Sequence, residues 1–544
     1  MGKYNIHLTS STSPEDPVLT SSIKGIDNDA FTEQETHQNG HCNATSLQMK
    51  SLAEHTTQKD VEVFRSCEGA QIPRKSDPQL DQAHAETKPR LINQVAAAMV
   101  MAFVHVGIGA VYGYTGVTLP ELTDPSSDDL ILGPYEVAFF ASLSDLGGAF
   151  GSIVGGLMLV RLGQRTTSLL ALPMSGACWL AMAFAHSQTF LLAMWFFLGF
   201  VSGLLSPAAS MYVLEVSHKD IRGFLFGIVT TARRIGIIFV FGIGSLRVGW
   251  RTIGFACSAV VAIPLTGLLF LPHSPRWLVT RGRFEEAKDS LSFFRGNSYD
   301  SSSELASITE QVDRTQRRKS GFSNQVRMIM EPSTRKALAL MILLSLLSPF
   351  SGIVVVIGYA VPILQMNKAN IDEYMGALLT SVVFAVGTVI HICIVDRIGR
   401  KPLLVTSFLF STLCMGCLGG YFYLQTTVVD VSAYGWVPVA SMVLFLFSVG
   451  IGQPVINIMQ GELLPTSVRP TGISLIQIFM YLGSFASAFT YPLISSAVGE
   501  YGAFWLYGGV CLTIATIGGV CLPETRGRSL EEITKGASSH NTQD

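Results

Sequence analysis

The sequence predicts an all-α membrane protein whose twelve transmembrane helices form two pseudo-symmetric six-helix bundles. Three observations carry this. The 544 residues are 49% apolar and 14% charged, with a mean hydropathy of +0.41, against roughly 25% charge in soluble domains. From Leu91 onward, apolar runs of about 20 residues recur, the length needed to cross roughly 30 Å of hydrocarbon as helix. A charged hairpin motif, Val395-Asp396-Arg397-Ile398-Gly399-Arg400-Lys401-Pro402, has an echo 236 positions earlier in Arg161-Leu162-Gly163-Gln164-Arg165, so the chain reads as two related halves.

Residues 1–90 come first. They are rich in Ser, Thr, Gln, Asp, Glu and Lys and lack apolar periodicity, which predicts a disordered tail on the cytoplasmic side. The stretch has neither the apolar core nor the small-residue cleavage site of a signal peptide, so the first span is expected to direct insertion. Asn43-Ala44-Thr45 matches a glycosylation acceptor that a cytoplasmic tail leaves unused. Spans are predicted near 93–114, 136–158, 166–186, 189–212, 223–246 and 252–272, giving an N-terminal bundle over 91–272. A second set lies near 337–364, 374–395, 402–422, 435–459, 471–496 and 502–522, giving a C-terminal bundle over 337–522. Between them, 273–336 carries Trp277-Leu278-Val279 and then Phe284, Ala287, Leu291 and Phe294 at helical spacing, which reads as short amphipathic helices on the membrane surface. A cytoplasmic tail, 523–544, completes the chain.

Orientation follows from the basic residues. Placing the tails, the even-to-odd hairpins and the central segment on one side leaves Arg247, Arg251 and Lys368 opposite, with Arg233 and Arg234 inside a span. By the positive-inside rule, both termini are cytoplasmic. A net charge of −2 gives no sign of a nucleic-acid partner. The nine cysteines are scattered, mostly in apolar runs, and imply no disulfide framework; Cys414-Met415-Gly416-Cys417 reads as helix packing.

Charges repeat between the halves. Glu215 precedes Arg222 by seven positions, and Glu462 precedes Arg469 by the same interval at an offset of 247. Pro272-His273-Ser274-Pro275-Arg276 ends the sixth span, and Pro523-Glu524-Thr525-Arg526-Gly527-Arg528 ends the twelfth at an offset of 251. Ion pairs at a membrane face can latch helices when the face closes and dries, so a few kcal/mol separates two states of similar energy. Glu215, Arg222, Arg276, Asp396, Arg397, Arg400, Glu462, Arg469, Glu524 and Arg526 are the candidate gating residues.

Together with Tyr212-Val213-Leu214-Glu215-Val216 and Ser274-Pro275-Arg276-Trp277-Leu278, these motifs resemble the sugar porters of the major facilitator superfamily. Gly113-Tyr114-Thr115 and Gly461-Glu462-Leu463-Leu464-Pro465 resemble the insect facilitated trehalose transporters within it. The resemblance covers roughly 91–535. It implies the major facilitator fold, a plasma-membrane location and facilitative transport of a sugar of the trehalose or hexose class by alternating access. It also implies that Ser348-Pro349-Phe350-Ser351-Gly352-Ile353-Val354 replaces the family's Gln-Gln-Leu-Ser-Gly-Ile-Asn, so two glutamines and an asparagine that hold sugar are lost. Asn457 stands near the family's tenth-helix tryptophan, Met480-Tyr481 at its eleventh-helix Asn-Trp, and Thr230 at its fifth-helix glutamine. The family's proton-coupled members carry Asp before a glycine in the first span. Here Tyr112-Gly113 stands there, which implies facilitated diffusion.

Candidate substrate-binding residues are therefore Tyr359, Gln453 and Asn457, beside glycine- and proline-broken parts of the seventh and tenth spans, with Thr230, Arg233 and Arg234. The two arginines lie about 15 Å deep, where a lipid-facing charge costs about 3 kcal/mol or more, so they should face protein or water. Asp145, at comparable depth, is a possible charge partner. His105 reads as a packing residue. No enzyme constellation, metal spacing or cofactor motif emerges, and the partners implied are a small polar solute and the lipid bilayer. Two alternatives stay open: a carrier of the same fold for a non-sugar solute, an anionic one included, and a transport-inactive receptor or scaffold. The two hairpins are also unequal, since Val160 and Gln164 stand where the second copy has Asp396 and Arg400. The gate is expected to be stronger in the C-terminal half.

Overall fold

The computed structural model describes residues 90–126, 129–296, 299–317, 328–366, 372–427, 434–465 and 468–524. The tail preceding Arg90, Asn43, Lys368, Arg526 and the remainder of the C-terminal motif lie outside the described residues. The chain runs through α1 (Ile92–Leu122), α2 (Pro134–Ala183), α3 (Gln188–Val216), α4 (Arg222–Gly244) and α5 (Trp250–Leu269). Three short helices follow, α6 (Pro275–Thr280), α7 (Phe284–Arg295) and α8 (Ser302–Arg317). Then come α9 (Pro332–Leu347), a 3-10 turn (Pro349–Ser351), α10 (Ile353–Gly358), α11 (Ala360–Gln365), α12 (Glu373–Ile398), α13 (Arg400–Thr426), α14 (Val437–Leu463) and α15 (Arg469–Cys521).

Nine helices among the described residues are long and apolar enough to cross a membrane. Two of them count double. With 50 and 53 residues, α2 and α15 are roughly 75–80 Å of helix, more than twice the hydrocarbon thickness. Each reverses at one glycine, Gly163 (φ 78°, ψ 167°) and Gly499 (φ 77°, ψ 166°). The reversal of α2 is visible in its contacts: the Tyr114 ring touches both Phe140 (6.3 Å) and Trp179 (5.0 Å), which a straight helix would hold far apart. In α15, the Ser487 hydroxyl donates to the Pro349 carbonyl (3.1 Å) while the Cys511 thiol meets the Ser351 carbonyl (3.4 Å). The remaining passage is the chain of short pieces α9 to α11, interrupted where Pro349 supplies no N–H and Gly352 takes φ 96°. Twelve passages result among the described residues.

Gly399, between α12 and α13, has the same backbone conformation (φ 106°, ψ 160°) as the other two reversals. This region is open essentially to glycine alone, and it lets a helix turn back with one residue outside it. The Gly163 and Gly399 hairpins lie on one face, here the basic face, and Gly499 on the opposite face. The tenth passage departs from the broken helix expected from sequence: α14 runs through Pro454 without interruption, as membrane helices tolerate.

The short helices are anchored to the N-terminal bundle by Arg295. Its guanidinium is buried, pairs with Glu304 through two bonds (3.0 and 2.6 Å) and donates to the Val216 carbonyl at the end of α3 (2.8 Å). Ala287, Leu291 and Phe294 are buried alongside it, whereas Phe284 is exposed.

Gly163→Ala and Gly399→Ala should each lower stability by about 1–3 kcal/mol, because the added Cβ meets Trp277 (2.8 Å) or the Glu524 carboxylate (2.9 Å) as well as a forbidden φ. Gly416→Ala, with nothing within 4 Å inside α13, should be neutral or stabilising. Thermal unfolding of the purified protein in detergent separates these outcomes.

Candidate functional site

The membrane-buried polar residues converge where the two bundles meet, because glycines let α1 and α4 approach closely. A Cβ on Gly109 or Gly236 would overlap the facing backbone, and one on Gly113 would lie 3.3 Å from Ile237. This packing brings Arg233 of α4 to Tyr112 of α1, with the guanidinium 5.9 Å from the ring centre. Arg233 also donates to the Ser206 hydroxyl (3.1 Å), while its Nε is buried without a partner. Arg234 points across the interface and stacks 3.8 Å over the Phe384 ring of α12. A desolvated contact of this kind is worth about 2 kcal/mol.

Asp145 of α2 is 4% exposed. It does not neutralise either arginine: no cation lies within 4.0 Å of it among the described residues. Arg233 is held instead by Ser206 and Arg234 by Phe384 of α12. The Tyr481 ring packs on Gly148, 2.8 Å from where a Cβ would stand.

On the opposite face the bundles are in contact. Gly116 of α1 lies so close to the Ile357 carbonyl of α10 that a Cβ would overlap it. Phe139 meets Phe489 (5.1 Å), and Arg247 pairs with Asp372 (2.8 Å) and lies 5.5 Å over Tyr374. Asp372 also accepts the Met375 N–H at the start of α12, and these bonds hold its carboxyl below the usual carboxylate range. Within the N-terminal bundle, bidentate pairing with Arg251 pulls Asp129 down to about 2. Toward the basic face no comparable contact joins α3 to α14 among the described residues, and Thr230 and Asn457 are exposed.

Two polar networks sit on the basic face at matching positions. In the C-terminal half Arg400 pairs with Asp396 (3.0 Å) and Glu462 (3.3 Å), and Glu524 accepts the N–H groups of Arg400 (3.2 Å) and Lys401 (3.1 Å). In the N-terminal half Glu215 accepts from the Gln164 amide (2.9 Å) and the Ser274 hydroxyl. The slot that Glu524 fills against Gly399 is filled against Gly163 by Trp277, on which His273 stacks (5.0 Å). Burial first, then Arg165 and Arg283, holds His273 below the ordinary imidazole value, so it is neutral at pH 7.

The other predicted residues divide. Arg222 turns back to the Ser217 carbonyl (3.3 Å) and Arg469 to the Leu464 carbonyl (3.3 and 3.2 Å), the same five-residue step in each half. Arg276 and Arg397 are exposed. Tyr359 is buried in the C-terminal bundle, its hydroxyl donating to the Ala488 carbonyl (3.2 Å) and its ring against Tyr491 (4.8 Å). Gln453 is half-buried one turn beyond Gly450, which packs against the Phe384 backbone. Thr230 donates to the Phe226 and Gly227 carbonyls. Tyr112, a polar residue that sequence makes available to a central cavity, and Tyr481, at the family's eleventh-helix tryptophan, complete the cluster with Phe384, which was not singled out. An aromatic residue in a span carries no sequence signal of the direction it faces.

The model of a family described as "Sugar (and other) transporter" matches residues 95–536. The facilitated trehalose transporter Tret1 of Polypedilum vanderplanki is 32% identical over 469 residues, covering 86% of this chain and 92% of the relative. A Tret1-2 homolog of Drosophila simulans is 31% identical, covering 81% and 90%. The chain spans 54% of the length of the Drosophila yakuba Tret1, to which it is 31% identical. Among solved structures, the xylose transporter XylE from E. coli in a partially occluded inward open conformation superposes with a TM-score of 0.68 at 20% identity, covering 80% of this chain and all of that one. The fold is the major facilitator fold, and the chain is a multi-pass membrane protein.

Gly116→Val should hold α1 off α10 and open the opposite face. The expected result is a several-fold rise in labelling of a Tyr112→Cys probe by an impermeant maleimide from that face. Gly223→Val, with open space around it, should leave the labelling unchanged.

Proposed function

The chain belongs to the sugar (and other) transporter family, and from that membership we propose that it is a facilitative carrier of a sugar of the trehalose or hexose class, working by alternating access. The observation that carries the reading is the midplane polar cluster, which lies between two bundles joined at α1 and α10 toward the opposite face and not at α3 and α14 toward the basic face, among the described residues. Such a site can be offered to each side in turn without an open path through the membrane. The moving units are 91–272 and 337–522, with 273–336 and the tails outside the membrane. The basic face is cytoplasmic, both termini lie on that side, and the membrane is the plasma membrane. The distribution of Lys and Arg supports this orientation. Facilitated diffusion is favoured because α1 presents Tyr112 before Gly113 and no carboxylate.

Sugar would meet Arg233, Arg234, Gln453, Asn457 and Thr230 around the cluster. Tyr359 contributes from behind it, by setting the packing of α11 against α15. The basic-face networks are the gate, with Glu215, Asp396, Arg400, Glu462 and Glu524 as its charged centres and Arg222, Arg276, Arg397 and Arg469 around them; Arg526 is assigned to the gate from its sequence motif alone. A second reading, an anionic solute, is favoured by one observation: neither Arg233 nor Arg234 has a carboxylate within 4.0 Å among the described residues.

Uptake by oocytes expressing the protein, over trehalose, hexoses and organic anions, tests both readings. Saturable sugar uptake that equilibrates without accumulation is expected. Uptake of anions alone would establish the second reading, and no uptake at normal surface expression would overturn the carrier. The gate has its own test. Val160→Asp with Gln164→Arg rebuilds in the N-terminal half the charges of Asp396 and Arg400, and should reduce labelling of Tyr112→Cys from the basic face.

A further inference from the structure

Asp145 is the one membrane-buried carboxylate at the bundle interface that the described contacts leave unexplained. It stands three residues before Gly148 on α2, hence on the same helix face, and Gly148 is the residue on which Tyr481 of the other bundle packs. Asp145 therefore looks toward the C-terminal bundle at the midplane. It is 4% exposed and makes neither an ion pair nor a hydrogen bond with any described residue. Tyr112 and Tyr481 are the polar side chains that feel its charge. A buried carboxylate without partners is costly, and small neutral residues would pack against Tyr481 equally well. Phe140 and Ser142 of the same helix are fully buried with their needs met, the Ser142 hydroxyl by the Ala138 carbonyl (2.7 Å).

We propose that Asp145 is a specificity-determining residue that accepts hydrogen bonds from vicinal hydroxyls of the transported polyol, with the Tyr112 and Tyr481 hydroxyls beside it. The assignment rests on the sugar-carrier reading. The chemistry fits a diol. The two oxygens of a carboxyl group match two adjacent hydroxyls, accepting from them and, where one oxygen carries the proton, donating back. The phenols can both donate and accept, which suits hydroxyls that must do the same. A cationic solute fits less well, because the charge of Arg233 reaches both Tyr112 and Tyr481. The stretch Ser348–Val354 contributes no carboxamide, so Asp145 places on the N-terminal bundle a hydrogen-bonding role that α9 and α10 do not fill. Tyr481 travels with the C-terminal bundle, so a sugar held by Asp145 and Tyr481 together bridges the halves and favours closure around itself.

Equilibrium exchange in proteoliposomes tests this with glucose, its monodeoxy derivatives and trehalose as probes. Asp145→Asn should raise KM for glucose or trehalose by about 10- to 100-fold, with maximal exchange retained within a few-fold. One monodeoxy sugar, lacking the hydroxyl that Asp145 binds, should show the same KM in wild type and variant. Tyr481→Phe should raise KM by a smaller factor and serves as the readout if Asp145→Asn does not fold. Unchanged KM in both variants, with sugar exchange intact, overturns this assignment alone. Loss of proton-driven accumulation in Asp145→Asn with unchanged exchange KM also overturns it, in favour of a proton carrier. A wild type that exchanges no sugar overturns the carrier reading and this assignment with it.

Discussion

Helix α2 lies against α3 at a distance that only glycine permits: a Cβ on Gly147, Gly151, Gly199 or Gly203 would overlap the facing backbone. Lipid tails are as apolar as leucine, so membrane helices associate through such close packing rather than by escaping water. The same device joins α1 to α4 through Gly109 and Gly236, and α12 to α14 through Gly387 and Gly450. Everything at the midplane depends on it. With α1 and α4 a side chain's width further apart, Arg233 would lose the Tyr112 ring and keep only the Ser206 hydroxyl of α3. The polar cluster is thus a product of how little side chain the surrounding helices carry.

Much of the architecture was legible in the sequence because it depends on one-dimensional quantities. Run length reveals a passage, and the offset between Gly163 and Gly399 reveals the duplication, since only glycine serves a one-residue reversal. What escaped depends on rotation about helix axes and on where helices end. Glu215 and Arg222 are seven residues apart, a spacing of two helical turns, but α3 ends at Val216 and α4 begins at Arg222, so the interval crosses a turn and the helical rule does not apply. Tyr359 sits at the break between α10 and α11 (φ −124°, ψ 25°), and that break sends its side chain into the bundle. Pro454 looked like a break and is not one. The position of Asp145 beneath Tyr481 required the packing of two helices from different halves, which no pattern within one helix can show.

The two halves keep the same scaffold of polar positions and differ in charge. Gln164 meets Glu215 where Arg400 meets Glu462. Below the hairpin, Trp277 with His273 replaces the carboxylate of Glu524. The substitutions are coherent, because removing a carboxylate beside the hairpin removes the need for a guanidinium opposite it. The N-terminal network holds the Glu215 carboxylate by neutral donors, whereas the C-terminal one sets the Arg400 guanidinium between two carboxylates, Asp396 and Glu462, and bonds in which both partners are charged are the stronger. The N-terminal network is therefore the softer of the two.

The contacts between bundles are distributed unevenly, and the distribution says where rocking turns. Along α4 and α12 the halves meet at every depth: Gly227 beside Ile392 toward the basic face, Arg234 on Phe384 at the midplane, and Arg247 on Asp372 and Tyr374 just past the helix ends. Along α2 and α15 they meet as well, Phe139 on Phe489 toward the opposite face and Tyr481 on Gly148 at the midplane. Between α1 and α10 they meet toward the opposite face, and between α3 and α14 no comparable contact exists among the described residues. A seam closed over its whole length can stay closed while the bundles tilt, whereas a contact at one end must break. Arg234 gives the seam a reason to stay closed, since leaving Phe384 would strand a guanidinium in the membrane interior at a cost of about 3 kcal/mol or more. The least costly motion therefore turns about the two long seams, α4 with α12 and α2 with α15, and parts α1 from α10.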